Sequence, residues 1–208
     1  MSDVSFYHEG SRKLQDQFDT RRLADRLEEH LVRDTIQPSQ KQFIEGLDMF
    51  FLASADARGQ PNCSYKAGAR GFVRVMDDHT IAFPIYDGNG MYLSAGNAVV
   101  NPQVGLLFID FEQQKRLRLN GLASITPGDE LLAMYPEAQF VIRVTVTQIF
   151  PNCPRYIHKF QRVQDSPFVP QQGVTTPVPG WKSDSRWCDA LPAQDPARPD
   201  RTKPPAER

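Results

Sequence analysis

Four groups of side chains in this chain have the types and spacing to do chemistry, and each suits the holding of an anion. Ser64, Tyr65 and Lys66 follow one another on an expected strand. A lysine one residue from an aromatic suits contact with a phosphate or a planar ring, and is also ordinary strand composition. Asp87-Gly88-Asn89-Gly90 cannot comfortably continue a strand and stands just before a short helix beginning at Met91. Alone it is a tight turn. Backbone N–H groups at a helix N-terminus are also a natural phosphate seat, which here would draw on Asn89, Gly90, Met91 and Ser94. Arg116 and Arg118 alternate with Leu117 and Leu119, and Asn120 continues their face. They are either a solvated sheet face or an anion contact through the guanidinium fork. Arg155 and Tyr156 follow Pro154, as surface packing or as a second basic clamp.

Other chemistries have no matching residues. There is no HExxH, GxSxG or glycine-lysine phosphate loop. His8, His30, His79 and His158 are scattered without metal-ligand spacing, so no metal site is expected. No GxGxxG leads from a strand into a crossover helix, as a dinucleotide fingerprint requires. No residue stands out as an acid or base, and the catalytic group stays unknown. Cys63, Cys153 and Cys188 are odd in number and far apart, against a disulfide framework or zinc motif and in favour of inert or buried thiols.

These groups need a scaffold, and 208 residues with 40% apolar side chains and 13 Phe can build a core. The net charge of -1 steers the molecule toward neither nucleic acid nor acidic membranes. No apolar run approaches the ~20 residues of a transmembrane helix, and Met1 to Gly10 is polar without a signal core. A cytoplasmic protein is expected.

Leu23, Leu27 and Leu31, with Leu14 and Phe18, put an apolar stripe on one amphipathic helix over 11–34. Pro38 opens a second helix that stops near Gly46. Strands are expected at 50–54, 62–67, 72–75 and 80–83, with turns at 56–59 and Asp77-Asp78 and a bend at Gly68 and Gly71. A helix over 91–100 ends at Asn101-Pro102. Val104 to Phe111 is nearly all apolar, as for a strand buried on both faces. Thr126-Pro127, with Asp129 and Glu130, caps another helix. Phe140 to Ile149 is the last strand, and a short helix spans 155–163. The segments divide into a helical part, 1–46, a strand-rich part, 47–165, and an extension, 166–208, holding nine of the 17 prolines. Residues 190–208 are expected to be disordered. Trp181 and Trp187 suggest that 168–188 wraps its own or a partner subunit.

This order resembles the FMN-binding split barrel of the pyridoxamine 5'-phosphate oxidase superfamily over roughly residues 6–163. The shared features are the Gly59-Gln60-Pro61 turn, the strand with Ser64, Tyr65 and Lys66, Asn101-Pro102 before the long apolar strand, and Arg116 to Gly121 on the strand facing the flavin. Tyr7-His8-Glu9-Gly10 with Arg12, and residues 151–158, look like the superfamily's flavin-nucleotide-binding branch. The oxidase pattern carries an Arg on the strand after Gly-x-Pro and Ser-Arg-Lys at the next helix. Here those places hold Ser64 and, approximately, Tyr92-Leu93-Ser94, and the oxidase's C-terminal Trp and Arg motif has no clear counterpart. These departures argue against the vitamin B6 reaction more than against flavin binding.

The resemblance implies a mainly β (α+β) fold, a six-stranded split β-barrel with flanking helices, forming a homodimer with FMN at the subunit interface. Its cofactor contacts would be Ser64, Tyr65, Lys66, Asn89, Gly90, Met91, Ser94, Arg116, Arg118, Arg155 and Tyr156. Arg118 would sit near the flavin's pyrimidine edge. The expected activity is FMN-dependent redox chemistry on an unidentified small molecule. The alternative is storage or sensing of a flavin, haem or deazaflavin without turnover.

Overall fold

The computed structural model describes residues 6–199 and divides the chain into two compact units, up to Arg162 and from Val163 on. The first unit is mainly β. Its helices are α1 (Glu9–Gln17), α2 (Arg21–Leu31), α3 (Pro38–Glu45) and α4 (Leu93–Val100). Its strands are β1 (Met49–Ala55), β2 (Pro61–Ala67), β3 (Arg74–Val75), β4 (Thr80–Tyr86), β5 (Gln103–Asp110), β6 (Lys115–Ile125) and β7 (Ala138–Pro151). All seven strands join one antiparallel sheet in the order β2-β1-β5-β6-β7-β4-β3, running between two edges without closing. The strand beyond the six of the expected barrel is the two-residue β3 at an edge.

Local chemistry explains the turns. At the β1–β2 turn Gly59 takes a φ of +83°, which glycine adopts without strain. Asp56 Oδ1 accepts the N–H groups of Arg58 (2.8 Å) and Gln60 (2.9 Å). At α3, Pro38 occupies the first turn, and Gln37 and Gln40 form a reciprocal capping box.

The core lies on one face of the sheet. Phe50, Phe83 and Phe108 are fully buried, with Phe50 ring centroids 5.0 Å from Phe83 and 5.3 Å from Phe108. Leu52, Leu106, Leu119 and Ile149 share that face and are buried, and α4 brings Ala95 and Ala98 to the same core. Gly121 permits the closest approach. It sits at the bulge between β6 and β7, and an added Cβ would strike the Thr145 carbonyl oxygen and lie 2.6 Å from Val144 Cγ1.

Four expectations are corrected. The helix over 11–34 is two helices. Asp19 turns to a φ of +51°, and Asp and Thr are poor helix formers, so the chain breaks without Gly or Pro. β5 is buried on one face only. Val104, Leu106 and Phe108 are buried, whereas Gly105, Leu107 and Ile109 are half-covered. No helix forms over 155–163. That segment is irregular, with Ile157 buried, its carbonyl accepting from Gln114 Nε2 (2.7 Å), and Phe160 packed on Phe111. The helix after Thr126 shrinks to a 3-10 turn, Glu130–Met134, capped by Asp129 rather than Thr126. Gly128, at a φ of +70°, separates the expected cap from the actual one.

In the second unit, short 3-10 turns occupy Gly180–Ser183 and Cys188–Ala190. Lys182 is buried, its Nζ 2.6 Å from Asp195. Residues 192–198 form hydrogen-bonded turns. The disorder expected for 190–208 falls, from residue 200, outside the described residues.

Candidate functional site

β2 places Asn62, Ser64 and Lys66 on the core face of the sheet, because period two turns alternate residues the same way. Ser64 pairs with Leu52, and Lys66 with Phe50. This row lies at the sheet edge, beside the aromatic core, and α4 packs against it. Lys66 Nζ donates to Ser94 Oγ in the first turn of α4 at 2.8 Å. Asn97, one turn on, donates to Ser54 Oγ at 3.1 Å and ties the helix to β1.

These groups line a cavity of about 200 Å3 with Ile85 and Tyr86 at the end of β4 and the loop Gly88 to Leu93. The loop is shaped by its own side chains. Asn89 Oδ1 accepts the Met91 N–H (3.1 Å), Gly90 has a φ of +75°, and Tyr92 caps α4 in the left-handed region. The helix therefore begins at Leu93, two residues later than expected. Tyr92 donates to Gln139 Oε1 (2.9 Å), and Gln139 Nε2 donates to Asp87 (3.4 Å).

Lys66 is the single charged side chain of the cavity lining, and no carboxylate lines it among the described residues. Burial holds the amine below the usual lysine range. The Tyr86 phenol is pushed up to about 12 by burial and then by the neighbouring Tyr135. The lining is one cation among neutral hydroxyls, an amide and backbone, a donor set for an anion.

Six of the residues singled out in the sequence meet here: Ser64, Lys66, Asn89, Gly90, Met91 and Ser94. The other five lie elsewhere. Tyr65 points from the opposite face of β2, 61% exposed, in a cross-strand row that runs Tyr65, Phe51, Leu107, Arg118, Phe150. Arg118 lies over the Phe150 ring at 5.4 Å. Arg116, on the same face, donates to Asn152 Oδ1 (2.5 Å) and keeps a buried Nε without a partner. Arg155 donates to Cys153 Sγ (3.1 Å), and Tyr156 is exposed. Cys63 and Cys153 are exposed and Cys188 is half-buried, which leaves of the expected inert or buried thiols no fully buried one. A backbone hydrogen bond from Arg155 and the nearby guanidiniums hold the Cys153 thiol below its usual range. Asn62 and Tyr86 were not anticipated. Asn62 was findable, two and four residues from Ser64 and Lys66 on the same face, whereas Tyr86 carries no local signal.

An open seven-stranded antiparallel sheet whose edge cavity is closed by a short helix is the split-barrel class of fold. The chain belongs to the pyridoxamine 5'-phosphate oxidase family, whose sequence profile matches residues 36–156. No curated protein matches the chain. Among solved structures, HupZ of Group A Streptococcus is 23% identical, covering 56% of this chain and 93% of that one at a TM-score of 0.45. HutZ, the haem storage protein of Vibrio cholerae, is 24% identical, with 56% and 94% covered and a TM-score of 0.42. An FMN-binding protein of Syntrophomonas wolfei is 12% identical, with 70% and 96% covered and a TM-score of 0.44. No helix among the described residues is long and apolar enough to cross a membrane.

Proposed function

We propose that this chain binds FMN with the phosphate seated at Lys66, and acts as a flavin-dependent oxidoreductase on a small molecule, as a homodimer in the cytoplasm. One observation carries the reading: a half-buried ammonium, bonded only to the neutral Ser94 hydroxyl, faces a cavity with no carboxylate among its described lining residues. A charge in that position is stabilised by an anionic ligand.

The donor set fits a phosphate. Lys66 supplies the charge, Ser64, Ser94 and Asn62 supply neutral hydrogen bonds, and the backbone at 88–90 lies beside open space, since an added Cβ at Gly88 or Gly90 meets nothing within 4 Å. When bound, the flavin ring carries the electrons, and the protein supplies binding, orientation and electrostatics. At about 200 Å3 the cavity is smaller than the ~300–1,000 Å3 that encloses a whole drug-sized ligand. The seat therefore takes the head group, and the remainder extends past its mouth. In the proposed homodimer a second copy would present its outer row, with Tyr65 and Arg118, to that remainder. In one chain that row lies on the far face of the sheet.

A binding protein without turnover is the second reading, favoured by the absence of any histidine or carboxylate among the described lining residues and by the high-lying Tyr86 phenol. Titrating the purified protein with FMN and with riboflavin tests the seat. FMN is expected to bind at least tenfold more tightly, and equal affinities would rule out phosphate recognition. Flavin reoxidation after reduction by nicotinamide cofactors, with and without candidate acceptors, separates the two readings.

A further inference from the structure

The first two helices form a hairpin that the rest of the first unit leaves almost uncovered. Of the nine residues of α1 none is buried, and of the eleven of α2 only Ala24 is. Ion pairs hold the helices to each other. Arg12 of α1 meets Asp25 (2.5 Å) and Glu28 (3.6 Å) of α2, and Asp16 meets Arg21. The ties to the sheet lie at the two ends of the hairpin. The Phe6 ring centroid is 5.1 Å from that of Phe150, and Arg33 exchanges two backbone hydrogen bonds with Ile149 (3.1 and 2.7 Å).

Both helices nevertheless carry large apolar side chains. Leu23, Leu27 and Leu31 form a row at four-residue spacing along α2. On α1, Leu14 and Phe18 stand two residues beyond Arg12 and Asp16, roughly 200° round the helix, so they point away from α2. All five are between 39% and 68% exposed. Helices this short are marginal in water and take most of their stability from an apolar face that packs on something. Here those faces are left in solvent.

We propose that α1 and α2 form a docking arm for a second copy of this chain, which covers Leu14 and Phe18 on one side and Leu23, Leu27 and Leu31 on the other. The two apolar faces look in different directions, so a flat partner covers one and leaves the other wet. A copy that receives this arm and gives its own in return encloses both. The charge balance suits self-docking. Residues 9–33 carry six basic and six acidic side chains, so a two-fold contact meets no net repulsion. A helix lying on an anionic membrane is instead rich in Lys and Arg. The area is also sufficient. At roughly 100 Å2 of exposed apolar surface each, ten such side chains across a two-fold reach the ~1,000 Å2 of a specific interface, before the surfaces opposite are counted. Phe6, at the foot of the arm, continues the outer row at Phe150, so one interface can include both. The docking rests on the homodimer of the preceding reading and is independent of the flavin.

Sedimentation equilibrium of the full chain is expected to give a dimer at micromolar concentration. Leu23→Glu with Leu27→Glu, and separately Leu14→Glu with Phe18→Glu, should each raise the dissociation constant by about a hundredfold or more. Both variants should keep the far-ultraviolet spectrum of the folded chain, since all four positions are exposed in one copy. Hydrogen exchange of the wild type needs no variant. Amides of α1 and α2 should be protected at high concentration and lose that protection on dilution below the dissociation constant. A dimer that both double variants leave intact overturns the arm and leaves the homodimer standing. A wild-type monomer at tens of micromolar overturns both. Protection that does not change with concentration places the arm on its own chain. Binding of a monomeric chain to phosphatidylcholine–phosphatidylserine vesicles, abolished by Leu27→Glu, places it on a lipid surface. Either result overturns self-docking.

Discussion

The two faces of the sheet hold positive charge in opposite ways. On the core face a single ammonium, Lys66, sits half-buried among hydroxyls, with its charge unmatched by any carboxylate of the cavity. On the outer face three arginines find partners within the chain. Arg143 is clamped by the buried Asp129, Arg116 bonds Asn152, and Arg118 lies on Phe150. The lesson is that a basic residue's availability depends on what its face already offers it. A clamped arginine is structural, a stacked one is half-committed, and a desolvated ammonium without a counter-ion keeps its charge free for an anion.

The largest expected effect falls where both faces depend on one residue. Gly121→Val would force β6 and β7 apart at their bulge, and it should cost about 3 kcal/mol by chemical denaturation, at the top of the usual range for overpacking. A loss within error would show that the bulge is plastic, and that the register linking the two faces is not set there. Next comes the seat. Lys66→Ala should weaken FMN binding by about 1.5–3 kcal/mol, the worth of a charge-assisted hydrogen bond, with riboflavin affinity unchanged. FMN affinity should also decline on the alkaline side at a lower pH than an exposed lysine would give, because burial already favours the neutral amine. A pH profile identical in wild type and Lys66→Ala would remove Lys66 from the seat.

Asp129→Asn tests the clamped arginine. It should cost about 1–2 kcal/mol of stability at neutral pH, near the value of a hydrogen bond to a charged group. Arg143 holds the Asp129 carboxyl below the usual carboxylate range. The folded value is therefore depressed, and the stabilisation is present above the unfolded value of about 3.9 and fades as pH falls through the lower folded value. Wild type and Asp129→Asn should accordingly converge below about pH 4 in acid unfolding followed by circular dichroism. Arg118→Ala should have the smallest effect on the fold, about 0.5–1 kcal/mol from the lost ring contact. Its effect on flavin is the sharper test. If the flavin site lies between two copies, Arg118→Ala should weaken FMN binding in the dimer and spare the residual affinity of dilute monomer. A monomer by light scattering, with FMN bound and Arg118→Ala indifferent, would confine the site to one face.

Much of this was legible because it is local. The alternation of Leu117 and Leu119 with Arg116 and Arg118 placed a wet and a dry face on β6, and both faces are where the period puts them. Pro38 and Gly59 punctuate the chain as their chemistry requires, and α3 ends at Gly46 as expected. The errors were local as well. The break at Asp19 has neither Gly nor Pro to announce it, and the apolar run of β5 reads the same whether one face or two are covered.

What the sequence determined by itself is the set of short-range choices: strand periods, caps, turns, and the membership of Ser64 and Lys66 in a single face. These follow from backbone geometry within a few residues. Tertiary structure decided what each face meets. The approach of Ser94 to Lys66 spans 28 positions, and it depends on α4 packing over the β2 edge. The separation of Lys66 from Arg118, two basic residues that looked alike in sequence, depends on the register across β1 and β5, which sets them on opposite sides of the sheet. Register is a long-range property set by the sum of cross-strand contacts, so no window of the chain contains it.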